Sequence, residues 1–367
     1  MARKLATDRF LFATVAVLVA LGLVMIYSAS AMQIYLPVAG GPSHAYFFVV
    51  KQGLAVLLGV GIASAAFTLD YRRLADPKLI GAGLAVLVVA LLVVLFRAPI
   101  NGTRRWIDLG VMSVQPSEFA KIGLVIALAA LLAKREGEVE NLRRTLAPAA
   151  GLLAVLGGLV LLEPDFGTAL SYFAVAAAML FYAGLRLRWF VGAFSLVAPL
   201  LAVYVWSAPY RRDRILSFLH PEADPLGRGF QAIQSLIAVG TGGVTGLGFG
   251  NGRQKLFFLP YPYTDFIYAI VGEELGLIGC AFVLGLFGVL FSRGLRAALA
   301  APDAFGRYLG VGLSVMIVVQ ALVNISVVLA LLPTKGIPLP FLSYGGSALW
   351  ADLTAVGILL NLSQHSS

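Results

Sequence analysis

The chain has 367 residues, of which 60% are hydrophobic and only 12% charged, and its mean hydropathy is +0.91. A soluble domain carries about 25% charged residues, so this composition excludes a soluble globular enzyme, a disordered tail and a fibrous repeat; the chain uses lipid as its solvent. Twenty-seven Lys and Arg against eighteen Asp and Glu leave a net charge of +9, an unusual excess for a molecule that tolerates so little charge.

The apolar runs are continuous rather than alternating, which excludes a membrane β-barrel. Ten of them approach the roughly 20 residues that a spanning helix needs. In chain order they cover 10–28, 46–67, 79–96, 117–133, 145–162, 166–183, 189–207, 266–291, 308–332 and 345–362. The first is longer than a signal-peptide core and lacks a clear small-x-small cleavage site, so it reads as a retained span. The expected fold is an all-α polytopic membrane protein of about ten transmembrane helices, a single domain over residues 1–367 with both termini on one side. Gly306 and Gly310 in the ninth span suit close helix packing.

Fifteen of the cations lie in one set of ends and short loops, and twelve in the other. Basic residues in short loops mark the cytoplasmic side, so the set of fifteen and both termini are expected there. The twelve outer cations are concentrated in a few segments, above all a long extracytoplasmic connection of about 208–265 before the eighth span. They serve either headgroup contact or an anionic ligand handled at the outer leaflet. The single cysteine, Cys280, and the scattered His44, His220 and His365 exclude an internal disulfide and a Cys- or His-based metal cluster.

Four outer segments bring polar residues into the apolar part. In the first, Arg105-Trp-Ile-Asp-Leu-Gly110 leads to Gln115-Pro-Ser-Glu-Phe-Ala-Lys121, where Pro116 starts a helix and Glu118 and Lys121 share a face. They are either a self-neutralising pair or functional intramembrane charges. In the second, Glu163-Pro-Asp-Phe-Gly167 makes a tight reversal whose acids suit the start of the next helix. The third is the long connection, with the glycine run Gly240-Thr-Gly-Gly-Val-Thr-Gly-Leu-Gly-Phe-Gly250 followed by Arg253 and Lys255. Glycine lets backbone N–H groups approach an anion, so this stretch reads as a phosphate or pyrophosphate seat. It ends at Asp265, which serves either as an N-cap or as a general base at the membrane surface. Glu273 and Glu274 follow too far along the helix to be its direct partners. In the fourth, Pro333-Thr-Lys-Gly-Ile-Pro-Leu-Pro-Phe-Leu-Ser-Tyr-Gly-Gly-Ser347 forbids a continuous helix, and Lys335 would face an anion.

Through Gly22-Leu-Val-Met-Ile-Tyr-Ser-Ala-Ser30, the Arg105 and Gln115 motifs, Thr264-Asp-Phe266, Gly272-Glu-Glu-Leu-Gly276 and Ser343-Tyr-Gly-Gly-Ser347, the chain resembles the SEDS family of bacterial shape, elongation, division and sporulation proteins. Gln234-Ser-Leu-Ile-Ala-Val-Gly240, Gly250-Asn-Gly-Arg-Gln-Lys255 and Leu332-Pro-Thr-Lys-Gly336 resemble its division branch more than its elongation branch. Where the family often has an acid and a histidine, this chain has Tyr261-Pro-Tyr-Thr264.

The resemblance implies a peptidoglycan glycosyltransferase polymerising lipid II at the outer face of the bacterial cytoplasmic membrane, at the division septum. The family's essential acid falls on Asp265, and substrate contacts are expected from Arg105, Trp106, Glu118, Lys121, Arg253, Lys255, Lys335 and Ser343. The implied partners are a class B penicillin-binding protein, other division proteins and membrane lipid, with no nucleic acid. A divalent cation, Mg or Mn, is admitted by the resemblance without a local motif. The rival functions are an elongation enzyme of the same chemistry, a lipid II flippase or transporter supported by Glu273 and Glu274, and a scaffold for the transpeptidase.

Overall fold

A computed structural model describes residues 7–32, 46–97, 104–108, 110, 112–225, 227, 229–334 and 336–365. Of the outer motifs, residues 101–103, 109 and 111 and the expected ligand Lys335 lie outside these described residues. Ten helices correspond to the ten apolar runs. They are α1 (Arg9–Ser30), α2 (Phe47–Thr68), α3 (Pro77–Leu95), α4 (Pro116–Lys134), α5 (Ala147–Leu162), α6 (Phe166–Tyr182), α7 (Leu187–Trp206), then α10 (Ile267–Leu299), α11 (Ala304–Val328) and α12 (Gly346–His365). Between α7 and α10 lie two shorter helices, α8 (Pro209–Leu219) and α9 (Phe230–Gly242). A two-residue antiparallel pairing, β1 (Ile107–Asp108) with β2 (Ser113–Val114), precedes α4 and is the only β-structure among the described residues. Eight of the helices are long and apolar enough to cross a membrane; α6 and the apolar part of α7 are shorter.

Polar residues start the helices where the sequence places them. Asp8 accepts from the Phe10 and Leu11 N–H groups, Asp76 caps α3 ahead of Pro77, and Asp303 caps α11. Each satisfies backbone donors that a helix start leaves open. Helices α4, α11 and α12 form the buried centre, with α2 against α12 and α6 against α11. A Cβ at Gly310 would lie 2.6 Å from the Ala298 methyl, and one at Gly306 would lie 2.9 Å from the Tyr71 ring, so both glycines set a close approach.

Helix α10 departs from a simple span. At 33 residues it is too long for one crossing, and it breaks at Gly276, whose φ of 68° and ψ of −164° no helix contains. Tyr268 Oη donates to the Cys280 carbonyl at 3.1 Å, so the two halves fold back on one another. The second half, 277–299, runs the length of α1. Its Arg293 pairs with Asp8 at 2.7 Å, while Glu274 just before the break accepts from Ser28 at the other end of α1. The first half, 267–275, runs the opposite way and is buried from Ile267 through Glu274.

Breaking a helix inside a bundle strands backbone groups that water does not reach, and those groups need partners. The glycine run supplies them. Leu247 and Gly248 N–H groups donate to the Glu273 and Glu274 carbonyls, and Leu277 and Ile278 N–H groups donate to the Gly243 and Val244 carbonyls. A Cβ at Gly246 would overlap the Glu274 carbonyl, and one at Gly276 would overlap the Gly246 nitrogen. Part of the expected extracytoplasmic loop is thus a strap: α9 packs on α10, and the turn after it closes the break.

This strap gives a stability prediction. Gly246→Val places a branched side chain at φ 82° against the Glu274 carbonyl and should cost about 2–3 kcal/mol. Gly240→Ala, where a Cβ meets nothing within 4 Å, should be neutral or stabilising by about 0.5–1 kcal/mol. Thermal unfolding in detergent measures both.

Candidate active site

Asp265 stands two residues before the buried half of α10, and the backbone here is held through three successive carbonyls. Tyr263 O accepts from the Tyr344 N–H at 2.9 Å, Thr264 O from Ser343 Oγ at 2.6 Å, and Asp265 O from Asn324 Nδ2 at 2.8 Å. Ser343 Oγ also accepts from the Leu339 N–H at 2.8 Å. From α2, Gln52 donates to the Ser343 carbonyl at 3.3 Å and accepts from the Gly345 N–H at 3.2 Å. The proline- and glycine-broken stretch 336–345 is therefore covered by protein, as broken backbone at membrane depth requires. Tyr263 packs against Phe48 and Tyr344, with ring centroids 4.4 and 5.9 Å away.

The depth of this knot follows from α1. A Cβ at Gly22 would overlap the backbone of Phe341 and Leu342, whereas Glu274 sits at Ser28. Six residues of helix separate those levels, about 9 Å at 1.5 Å per residue. Asp265 is thus recessed within the bundle, and not at the surface as the sequence reading placed it. It does not cap α10 either, whose first turn has no side-chain cap.

The Asp265 carboxyl accepts no hydrogen bond from the described residues and keeps partial contact with solvent. The protein packed around it raises its pKa to about 7; the Arg105 guanidinium opposes the rise and the Asp165 carboxylate adds to it. Arg105 is held by the α5–α6 reversal: Nη2 donates to Pro164 O at 2.8 Å, Nε to Glu163 O at 3.4 Å, and Nη1 pairs with Asp165 at 3.4 Å. Asp165 caps α6 as expected, accepting from the Thr168 N–H and Oγ1. Glu163 does not cap. It is completely buried, neither oxygen has a hydrogen-bond partner, and burial lifts its pKa to about 8.

The other expected ligands fall into separate places. Lys121 is buried, pairs with Glu118 at 2.7 Å and donates to Gln320 Oε1. Beside this pair, Asp352 of α12 is 1% exposed with neither oxygen hydrogen-bonded. Lys255 is also buried; its ammonium reaches Glu274 at 2.7 Å, the Gly250 carbonyl at 2.7 Å and Ser28 Oγ at 2.9 Å. Glu273 accepts from the Arg253 and Gln254 N–H groups at 2.8 and 3.2 Å. The N–H groups read from sequence as an anion seat are therefore spent on Glu273, Glu274 and the helix break. Trp106 is half-buried, and the Arg253 side chain is exposed. Among the described residues no three His, Cys, Asp or Glu side chains converge to hold a metal ion. Asn324, Gln320, Gln52 and Asp352 escaped the sequence reading; isolated polar residues in apolar runs were their only signal.

The family described as "Cell cycle protein", FtsW/RodA/SpoVE, matches residues 8–367. The chain belongs to this family. Among its relatives is a protein named "Probable peptidoglycan glycosyltransferase FtsW" from Geobacter metallireducens, 44% identical over 93% of this chain and 90% of its own length. Stage V sporulation protein E of Bacillus subtilis is 42% identical over 99% of both. Two solved structures each cover 98% of both chains. One, from a peptidoglycan synthase complex in which polymerization and crosslinking are coordinated, is 34% identical with a TM-score of 0.80. The Thermus thermophilus rod shape determining protein RodA is 31% identical with a TM-score of 0.71.

The buried Lys255–Glu274 pair and the exposed Arg253 separate in a stability test. Lys255→Met leaves Glu274 uncompensated in the interior and should cost about 3–5 kcal/mol, largely recovered by adding Glu274→Gln. Arg253→Ala should stay within about 0.5 kcal/mol of the parent. Thermal unfolding of the three variants in detergent reads these differences.

Proposed function

We propose that the chain is a peptidoglycan glycosyltransferase that polymerises lipid II at the outer face of the cytoplasmic membrane, with Asp265 as general base. The observation that carries this reading is the recessed Asp265, held by its backbone, with its carboxyl hydrogen-bonded to none of the described residues and raised to about 7. A base whose pKa lies near the working pH suits proton transfer, and the relatives named as peptidoglycan glycosyltransferases support the substrate.

Asp265 takes the proton of the acceptor GlcNAc 4-hydroxyl. The oxygen attacks the MurNAc anomeric carbon of the growing strand, and the bond to undecaprenyl pyrophosphate breaks with its electron pair on the phosphate oxygen. Pyrophosphate leaves readily, so no protonating acid is required, in contrast to glycosidases. Cations stabilise the charge that develops. Arg105, which faces Asp265 electrostatically, and the exposed Arg253 are candidates for that role, as is Lys335. Ser343 and Lys121 act from behind, through the Thr264 carbonyl and Gln320. Trp106 adjoins Arg105 as a half-buried wall.

The transporter alternative drew on Glu273 and Glu274, and both are committed to the strap and to Lys255. The elongation reading has the same chemistry and is not better supported: the likeness to RodA, at 31% identity, is weaker than that to the FtsW-named relative at 44%. We assign the chain to septal synthesis beside a class B transpeptidase and other division proteins, a reading supported by its FtsW-named relatives and by its likeness to a subunit of a synthase complex.

Purified protein with lipid II, assayed alone and with the transpeptidase, tests the assignment. Asp265→Asn should lower polymerisation by about 10²–10⁴-fold; equal polymer from the variant would remove Asp265 from the mechanism. The base acts ionised, and below its pKa the carboxyl retains its proton. The parent's kcat/KM should therefore fall about tenfold per pH unit below about 7 and level off above it.

A further inference from the structure

Asn324 lies in α11, one helical turn beyond Gln320, and is 1% exposed. Its side-chain amide makes two donations from one nitrogen: to Asp265 O at 2.8 Å and to Ile337 O at 2.7 Å. Gln320 donates to the adjacent Pro338 O at 3.1 Å and receives Lys121 from the other side. Two amides on one face of α11 thus grip the broken 336–338 backbone, and Asn324 alone also grips Asp265. The gap they set is tight, since a Cβ at Gly336 would lie 3.1 Å from Asp265 Oδ2.

The carboxyl of Asp265 accepts no hydrogen bond from the described residues, so none of them fixes from that end where it points. Its position is inherited from the three backbone carbonyls. The other two are held by the Tyr344 N–H and by Ser343, which belong to the broken segment itself. Asn324 is the donor that comes from a continuous, packed helix. It therefore fixes both the base and the 336–338 wall beside it to a rigid frame.

We propose that Asn324 is a positioning residue for the reaction, holding Asp265 and the 336–338 backbone at one spacing so that the carboxyl stays recessed and aimed at the acceptor hydroxyl. This rests on the glycosyltransferase reading above. Loss of the amide frees the Asp265 backbone on one side, exposes the carboxyl further to water and misplaces it relative to the bound sugars. A residue that only packs would change stability and leave both the proton affinity of the base and the turnover of folded enzyme alone.

The experiment measures lipid II polymerisation by detergent-purified full-length Asn324→Ala and Asn324→Asp, with thermal unfolding as the check on folding. Asn324→Asp keeps the shape but replaces the donor with an acceptor facing two carbonyls, so it covers the case in which Asn324→Ala does not fold. The expected result for either folded variant is a ten- to hundredfold fall in kcat with a KM for lipid II within twofold of the parent; the acid limb of the pH–rate profile moves below the parent's in Asn324→Ala, whereas the added carboxylate of Asn324→Asp moves it above. Ser314→Ala, on the same helix but bonded only to the Gly310 carbonyl, should keep kcat within twofold and leave the acid limb in place. Folded Asn324 variants with parental kcat and acid limb overturn the proposal, as does a rise in KM at unchanged kcat. The underlying reading fails separately: parent protein that makes no polymer, or an Asp265→Asn variant that makes as much, rejects the glycosyltransferase assignment whatever Asn324 does.

Discussion

The structure depends on a helix that is broken where water cannot repair it. At Gly276 the backbone of α10 turns out of helical geometry, and peptide groups on both sides of the break lose their partners. In lipid-embedded protein such groups find new ones or the fold fails. The turn after α9 provides them by lying across the break, which requires glycines at Gly243, Gly246, Gly248 and Gly250, all at positive φ. Glu273 and Glu274 then take the N–H groups of Gly250, Arg253 and Gln254 and the Lys255 ammonium. Because the first half of α10 runs against the second, the segment preceding it, Asp265 and Phe266, is carried into the bundle.

The same economy governs the charges. Lys121 is matched by Glu118, Lys255 by Glu274 and Arg105 by Asp165. In a dry interior an unmatched ion is costly, whereas a matched pair left intact is tolerated. Several of the twelve outer cations are thus structural counter-charges rather than open anion sites. The excess of +9 is carried elsewhere, on the short basic loops and on outward-facing residues such as Arg253. Asp265 differs from the paired acids in having no direct partner among the described residues. Arg105 acts on it only through space, against burial and Asp165, and this leaves its proton affinity near neutrality.

Much of this was legible in the sequence. Ten apolar runs became ten helices because hydrocarbon admits few alternatives for a continuous apolar stretch. Asp165 caps α6 from its place just before the apolar run. Glu118 and Lys121 met as their spacing required. The glycine run was read as an anion cradle because backbone N–H groups exposed by glycine serve an anion and a broken helix equally well; which of these lies opposite is a question of contact. Glu163 was read as a helix cap, since its spacing from α6 resembles that of Asp165, yet the reversal at Pro164 turns one acid toward the cap and leaves the other buried without a partner.

What the sequence alone determined is the membrane class, the ten apolar helices, the family and, through its motif, the position of the candidate acid at Asp265. These follow from composition, run length and local residue order. The recess of Asp265, the strap over Gly276 and the grip of Asn324 on two distant carbonyls were decided only by the tertiary structure. Each depends on which backbone groups are left unsatisfied once the helices pack, and residues far apart in the chain, such as Asn324 and Asp265, supply the missing partners.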